Sequence, residues 1–265
     1  MALPIRLGVL RALVKEISVS GAADRPLVVG GARELAAVLR KELGRDAKPG
    51  AVRADDEPKG GAVYVYVLGR DPTEADEAAL KGARRARVPI VAVAAGPLSD
   101  DITIPYVLAT DVLQLKAGQG FPLEPIAHLI AARLGEEGAP LAERVPVLRR
   151  AVCEWLVAAF AKKNGLIGAA VFIPGVDLPM LALNEIRLIL RLEQAYGLPI
   201  DPRERLPEIA ATLGVGFGLR AVTRELLDFV PVAGWAVKGA VAYAGTRALG
   251  EAAVRRLEVG APGGH

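Results

Sequence analysis

Between Pro26 and about Leu134, short apolar runs alternate with helical stretches, and no further strand pattern follows. That alternation most constrains the fold, because parallel strands need crossover connections and buried parallel strands read as near-continuous Val, Ile and Leu runs. Leu27–Gly31 reads as a first strand. Residues 32–43 read as a helix with Leu35, Val38, Leu39 and Leu43 on one face and Arg33, Glu34, Arg40 and Lys41 on the other. The loop 48–61, rich in Pro, Gly and charge, has room for a short edge strand at 51–54. Residues 62–68 form a clear strand. Asp71-Pro72-Thr73-Glu74 offers an N-cap at Asp71 with proline at the first helical position, opening a helix to about Arg87. Strands at 88–95 and 104–109 follow, and a helix at 122–134 closes this half at Gly135-Glu136-Glu137-Gly138.

The remainder reads as helix alone, at about 141–163, 178–196, 207–227 and 235–257, punctuated by Pro174, Pro179, Pro199, Pro202, Pro207 and Pro231. The expected fold class is therefore α/β plus all-α, a parallel sheet with crossover helices followed by a hydrophobic helical domain. The expected segments are an N-terminal amphipathic helix at 1–20, the α/β domain at 21–138, the helical domain at 139–258 and a tail at 259–265. In the first segment Leu3, Leu7, Leu10, Val14 and Ile17 make a stripe that Arg6, Arg11 and Lys15 interrupt, which distinguishes it from a signal peptide. The stripe packs on the rest of the chain, or else its basic face meets a membrane surface.

A strand, a glycine pair and a helix start stand where an ATP or GTP phosphate loop would sit, since a helix N-terminus presents free N–H groups to an anion. The chemistry of such a loop is missing. The sequence reads Gly30-Gly31-Ala32-Arg33-Glu34-Leu35-Ala36 instead of G-x-x-x-x-G-K-[ST]. No lysine precedes Ser or Thr, no D-x-x-G occurs, and the strand at 88–95 ends in Ala94-Ala95-Gly96 where a guanine-reading N-K-x-D would stand. Gly30, Gly31 and Arg33 remain as weak candidates for an anion site, against a simple tight turn. The two histidines, His128 inside a helix and His265 in the tail, cannot build a triad or a metal cluster, and Cys153 is the single cysteine. The expectation is a protein with no catalytic residues, cofactor or metal. A net charge of +3, from 33 basic and 30 acidic residues, is too balanced to imply a nucleic-acid partner.

In the second half, residues 165–184 carry only Asp177 as a charge. A straight helix of that length would cross a ~30 Å hydrocarbon core. Pro174 and Pro179 break it, however, and favour a core hairpin with Asp177 capping the helix that starts near Leu178. Gly214, Gly216 and Gly218 allow close helix contact within the chain or between copies, which leaves a homo-oligomer open.

Lys163-Asn164-Gly165-Leu166-Ile167-Gly168, Ile173-Pro174-Gly175-Val176-Asp177-Leu178-Pro179 and the helix running to Ala195-Tyr196-Gly197 resemble the YcjF-type helical domain of unknown function. That domain is found at the C-terminus of some bacterial GTPases and membrane proteins. The stretch 213–220, then Phe229-Val230-Pro231-Val232-Ala233-Gly234 and Gly245-Thr246-Arg247-Ala248-Leu249-Gly250, agree, so the resemblance covers about Val152 to Arg256. The first half is similar, through its element order and its Gly69-Arg70-Asp71-Pro72-Thr73-Glu74-Ala75-Asp76 turn, to a translation-factor-type G domain. The expectation is a degenerate GTPase-like scaffold in the cytoplasm that binds a protein partner or associates peripherally with the inner membrane. Two alternatives stand beside it: an integral membrane protein, and a nucleotide switch lacking a standard phosphate loop.

Overall fold

The computed structural model describes residues 8, 12, 13, 15–17, 24–55, 57–96, 98–99, 103–116, 118–170, 177–198 and 234–260. The chain divides into two compact units, residues 21–152 and residues 1–20 with 153–265.

In the first unit, β1 (Leu27–Gly31), β2 (Val52–Ala54), β3 (Val63–Leu68), β4 (Ile90–Ala94) and β5 (Val112–Gln114) form one sheet of order β2-β1-β3-β4-β5. Every pairing is parallel, with Leu27 opposite Val52 and Val63, Tyr64 opposite Ile90, and Ala92 opposite Val112. The expected strand at 104–109 is not one. Pro105 lacks a backbone donor, Tyr106 holds φ +64°, and the last strand forms only after the 3₁₀ turn Ala109–Asp111. Asp111, buried in that turn, is ion-paired at 2.7 Å to Arg133, which ties the turn to α3 (Leu123–Leu134).

Helix α1 (Arg33–Leu43) buries Ala36, Leu39 and Leu43, whereas Val38 faces outward at 52% exposure, contrary to the expected stripe. Helix α2 (Glu74–Arg85) buries Leu80 and Ala83 against the sheet face of Val28, Tyr64, Tyr66, Leu68, Ile90 and Ala92. Coil shares that face with α2, through Leu98, Ile104 and Val107.

Parallel strands usually require a crossover of about a dozen residues or more, normally helical. Here residues 55–62 alone carry the chain from β2 to β3, on the opposite side of β1. They do so by lying directly on β1: Asp55 N–H donates to Val29 O, and Ala62 N–H donates to Pro26 O. A Cβ at Gly61 would come within 2.7 Å of Val28 Cγ2. Small residues in both layers make the direct crossing possible.

The boundary of this unit lies beyond residue 138. Gly135, at φ +60°, turns the chain through a 3₁₀ turn into α4 (Gly138–Arg144), which buries Ala139, Leu141 and Ala142. Lys48 holds that helix by an ion pair to Glu143 at 2.8 Å and by its N–H to Arg144 O at 2.8 Å. Residues 138–148 are thus part of the α/β unit's core rather than a linker. Val145 and the 3₁₀ turn Pro146–Leu148 also interrupt the helix expected over 141–163.

The second unit is helical where described, apart from the turn at 196–198. It contains α5 (Arg149–Ala170) from Cys153 onward, α6 (Asp177–Ala195) and α7 (Gly234–Gly260), and the described positions of residues 8–17 are helical too. Of the stretch 165–184, residues 165–170 lie in α5 and 177–184 in α6, and the expected break at Pro174 lies outside the described residues. The expected helix at 207–227 lies outside the described residues. Leu13 and Ile17 are buried; of the expected stripe Ile17 alone is described, and Leu3, Leu7, Leu10 and Val14 lie outside the described residues.

Candidate functional site

The chain reverses its winding between β1 and β3, since α1 leads from β1 toward one edge and α2 leads from β3 toward the other. In open parallel sheets the crevice at such a reversal, beyond the strands' carboxyl ends, is where ligands bind. Here it is a crevice of about 250 Å³ lined by Ala32, Val67, Leu68, Gly69, Arg70 and Asp76.

Its polar groups are turned on one another. Asp76 is the third residue of α2, and Thr73 is the N-cap; the two form a capping box. Thr73 N–H and Oγ1 donate to Asp76 Oδ2 at 2.7 and 2.6 Å, and the Tyr66 hydroxyl donates to Asp76 Oδ1 at 2.7 Å. Burial raises the Asp76 pKa, but the bonds from Thr73 and Tyr66 and the Arg70 charge outweigh it, so the carboxyl sits below its ordinary value. Three hydrogen bonds already fall on this carboxylate, two on Oδ2 and one on Oδ1, so it is held as an acceptor within its own loop.

Asp71, expected as the N-cap, instead accepts from Ser99 Oγ at 2.6 Å and Ser99 N–H at 2.9 Å. These bonds lower its pKa and fasten the loop after β3 to the loop after β4. The same two loops touch where a Cβ at Gly96 would lie 2.8 Å from the Gly69 carbonyl carbon, and Gln114 Nε2 donates to Gly96 O at 2.8 Å.

The glycine pair is filled by its own neighbours. A Cβ at Gly30 would collide with the Tyr64 hydroxyl and lie 2.8 Å from Asp55 O. Gly30 therefore faces the 55–62 crossing and not the crevice. Gly31, at φ +100°, lies so close to Val67 that a Cβ would sit 2.8 Å from its nitrogen, and Ala32 N–H donates to Val67 O at 2.8 Å. Arg33 begins α1, exposed beside exposed Glu34. All three candidates lie at the carboxyl end of β1, but the open side of Gly30 is taken by Tyr64 and Asp55.

A second, wider groove of about 510 Å³ lies along β5 and α3, lined by Val112, Leu113, Glu124, Pro125, His128 and Leu129. His128 Nδ1 lies 2.9 Å from Glu124 O of its own helix. Among the described residues no three His, Cys, Asp or Glu side chains converge as a metal site, and no helix is long and apolar enough to cross a membrane.

In the helical unit Asp177 is the first residue of α6, but its side chain lies outside the described residues, as do Gly214, Gly216 and Gly218. A polar chain that the sequence reasoning missed runs through the core. Asn184 Nδ2 donates to Asn164 Oδ1 at 3.0 Å, Asn164 Nδ2 donates to Thr246 Oγ1 at 2.8 Å, and Thr246 Oγ1 donates to Glu185 Oε1 at 3.2 Å. All four residues are buried, on three helices. Each donor passes its partner's donor onward, a direction that ends on the carboxylate and polarises every bond in the chain. No local signal marks them in the sequence, since Asn164 follows Lys162 and Lys163, Asn184 precedes Glu185, and Thr246 precedes Arg247. Around them α5 and α7 meet through Gly165, Gly168 and Gly239: a Cβ at Gly168 would lie 2.9 Å from Ala242 Cβ, and one at Gly239 would lie 2.9 Å from Gly165 O.

Comparison with protein-family models, with curated proteins and with solved structures finds no match for the chain.

Proposed function

We propose that the chain is a non-catalytic scaffold, a degenerate GTPase-like α/β unit joined to a YcjF-type hydrophobic helical domain, and that it works in the cytoplasm by binding a protein partner. The observation that carries this reading is that the carboxylates beside the switch-point crevice are bonded to their own loops. A nucleotide site needs backbone donors, a cation and a metal-holding hydroxyl or carboxylate turned toward the cradle. Here Val67 lies against Gly31, Thr73 and Tyr66 donate to Asp76, and Ser99 donates to Asp71. The domain names rest on the sequence resemblance. The binding role rests on a sheet built like a ligand-binding one whose binding edge is satisfied internally.

The test is a thermal melt with and without GTP, GDP and ATP in the presence of magnesium. A ligand that binds only the native state at 100 times its Kd adds about 2.7 kcal/mol, a shift readily seen. No shift is the expected result. A clear shift with one nucleotide sinks the scaffold reading in favour of a residual switch.

A further inference from the structure

Helix α2 is divided by charge along its length. Its first turn carries Glu74, Asp76 and Glu77, whereas Lys81, Arg84 and Arg85, spaced to share one outward face, lie toward its other end, and Arg87 follows just beyond. All four cations are exposed, and among the described residues none is held in an ion pair. Cations in a last turn complement the helix dipole, but Arg87 lies outside the helix.

Arg87 is also set in an unusual backbone position. Its N–H donates to Arg84 O at 3.1 Å and Val88 N–H donates to Ala83 O at 3.0 Å, the paired bonds that end a helix on a left-handed residue, and Arg87 takes that place at φ +57°. Glycine is the usual residue there, because a Cβ makes the conformation costly. A second case stands beside the next strand. Val107 N–H donates to Ile104 O across a turn with Pro105 second and Tyr106 third, and Tyr106 holds φ +64° at a position that ordinarily takes glycine. Asp46 is the third non-glycine residue at positive φ among those described, but Asp is of a type enriched in this region, and Arg and Tyr are not.

Both residues come to the amino-terminal edge of the sheet. Arg87 precedes β4, while Tyr106 and Leu108 lead into β5, its neighbour. Ala83, Val88, Ile104 and Val107, which flank them, pack in one core on the same face. Tyr106 and Leu108 stay 39% and 57% exposed. The chain thus holds backbone strain twice to present a guanidinium and a phenol ring at one corner, and strain kept at an exposed surface points to function.

We propose that this corner, Arg84, Arg85 and Arg87 with Tyr106 and Leu108, binds an acidic segment of a partner protein, which sets carboxylates on the arginines and an apolar side chain on Tyr106 and Leu108. This rests on the scaffold reading and gives the chemistry of its partner. Arginine forks match carboxylates in bidentate pairs, and Arg and Tyr are side chains that interfaces concentrate. A bilayer or a nucleic acid would spread phosphates over a wide surface, where Glu74 and Glu77, exposed on the same helix, would repel them. A short acidic segment meets the cationic end alone.

The test uses the full chain and a fluorescent peptide of repeated Glu-Glu-Leu units, with the Gln-Gln-Leu peptide as control. Wild type is expected to bind the acidic peptide and not the control. R84Q/R85Q/R87Q is expected to weaken binding at least about tenfold, and R84K/R85K/R87K to recover part of it, since charge returns without the fork. Tyr106→Asn, with a side chain that tolerates the left-handed region, is expected to weaken binding about fivefold and to melt no lower than wild type. No binding of the acidic peptide, equal binding of the control, unchanged binding in the Gln or Asn variants, or full binding by the Lys variant overturns the proposal. A lower melting temperature in Tyr106→Asn overturns it too, because the ring then serves the fold. So does tighter binding to phosphatidylglycerol vesicles or to duplex DNA than to the peptide, the outcome of a membrane or nucleic-acid surface. A nucleotide-induced shift in melting temperature would remove the scaffold reading, but it reports on the crevice at the carboxyl end of the strands and leaves the peptide result to be read independently.

Discussion

The Tyr66 hydroxyl donates to Asp76 Oδ1 at 2.7 Å, joining the middle of the sheet to the first turn of the helix that follows it. Asp76 also closes the capping box with Thr73, so one carboxylate fixes both where α2 begins and how it sits on β3. Asp76→Ala is expected to cost about 1–2 kcal/mol through the lost cap. Tyr66→Phe is expected to cost about 1 kcal/mol, since it removes one hydrogen bond and keeps the ring. Urea unfolding of the two single variants and the double variant checks this. The double variant should fall short of the sum, because the Tyr66 bond has no acceptor once Asp76 is gone.

Gly30 gives a second prediction that separates packing from an anion cradle. Gly30→Ala places a methyl against the Tyr64 hydroxyl and Asp55 O, and is expected to destabilise by about 1–3 kcal/mol. Tyr64→Phe removes the hydroxyl, and in its background the cost of Gly30→Ala should fall. If the cost is unchanged once the hydroxyl is gone, the Tyr64 ring edge at Cε2 and Asp55 O, each 2.8 Å from the added Cβ, are what exclude a side chain. Thermal melts of the wild type, the two single variants and the double variant decide it.

The sheet was legible because its strands are apolar runs bounded by Gly and Pro, and four of the five strands lie where the periodicity places them. The fifth was not, since Ile104 and Val107 are buried by coil, and burial without ladder pairing leaves the same apolar trace as a strand. The cap at α2 was displaced by two residues because Asp71-Pro72 and Thr73-Glu74-Ala75-Asp76 both carry start signals. Only the second supplies a reciprocal pair, and Asp71 is drawn off by Ser99, distant in sequence. Gly30 and Gly31 stood out as glycines, but what they face depends on Tyr64 and Val67 from another strand, which no local pattern records. The Asn164 chain was hidden for the same reason: its meaning comes from three helices meeting.

Acid should weaken the α/β unit through the same carboxylates. Asp71 and Asp76 both have folded pKa values below the ordinary one, so the folded state favours their charged form. Their contribution is fully present above the unfolded value of about 3.9 and is lost as pH falls through the lower folded values. Asp76→Asn is therefore expected to flatten the stability profile below about pH 4 while lowering stability at neutral pH. Urea midpoints measured from about pH 7 down to about pH 3 test it, a span that covers the unfolded value. A variant profile that stays parallel to wild type would mean that other carboxylates set the acid limit.

Glycines in the helices divide by what surrounds them, and Ala substitution should follow that division rather than helix propensity. Intrinsic propensity favours Ala over Gly by about 1 kcal/mol inside any helix. Gly82 in α2 and Gly245 in α7 have nothing within 4 Å of an added Cβ, so Gly82→Ala and Gly245→Ala are expected to stabilise by about 0.5–1 kcal/mol. At Gly239 the same methyl would lie 2.9 Å from Gly165 O and 3.0 Å from Ala169 Cβ, and at Gly250 it would lie 2.7 Å from Val157 Cγ2. Gly239→Ala must push α7 off the α5 backbone and so is expected to destabilise by about 1–3 kcal/mol, propensity gain included. Gly250→Ala meets side chains and not backbone, both γ carbons of Val157 and Leu188 Cδ2, but Val157 is held in one rotamer within its helix, so this variant is expected to destabilise as well. Parallel thermal melts of the four variants provide the check. A stabilising Gly239→Ala would show that α5 and α7 do not approach through their glycines, and would take with it the close packing that buries the Asn164 and Thr246 bond.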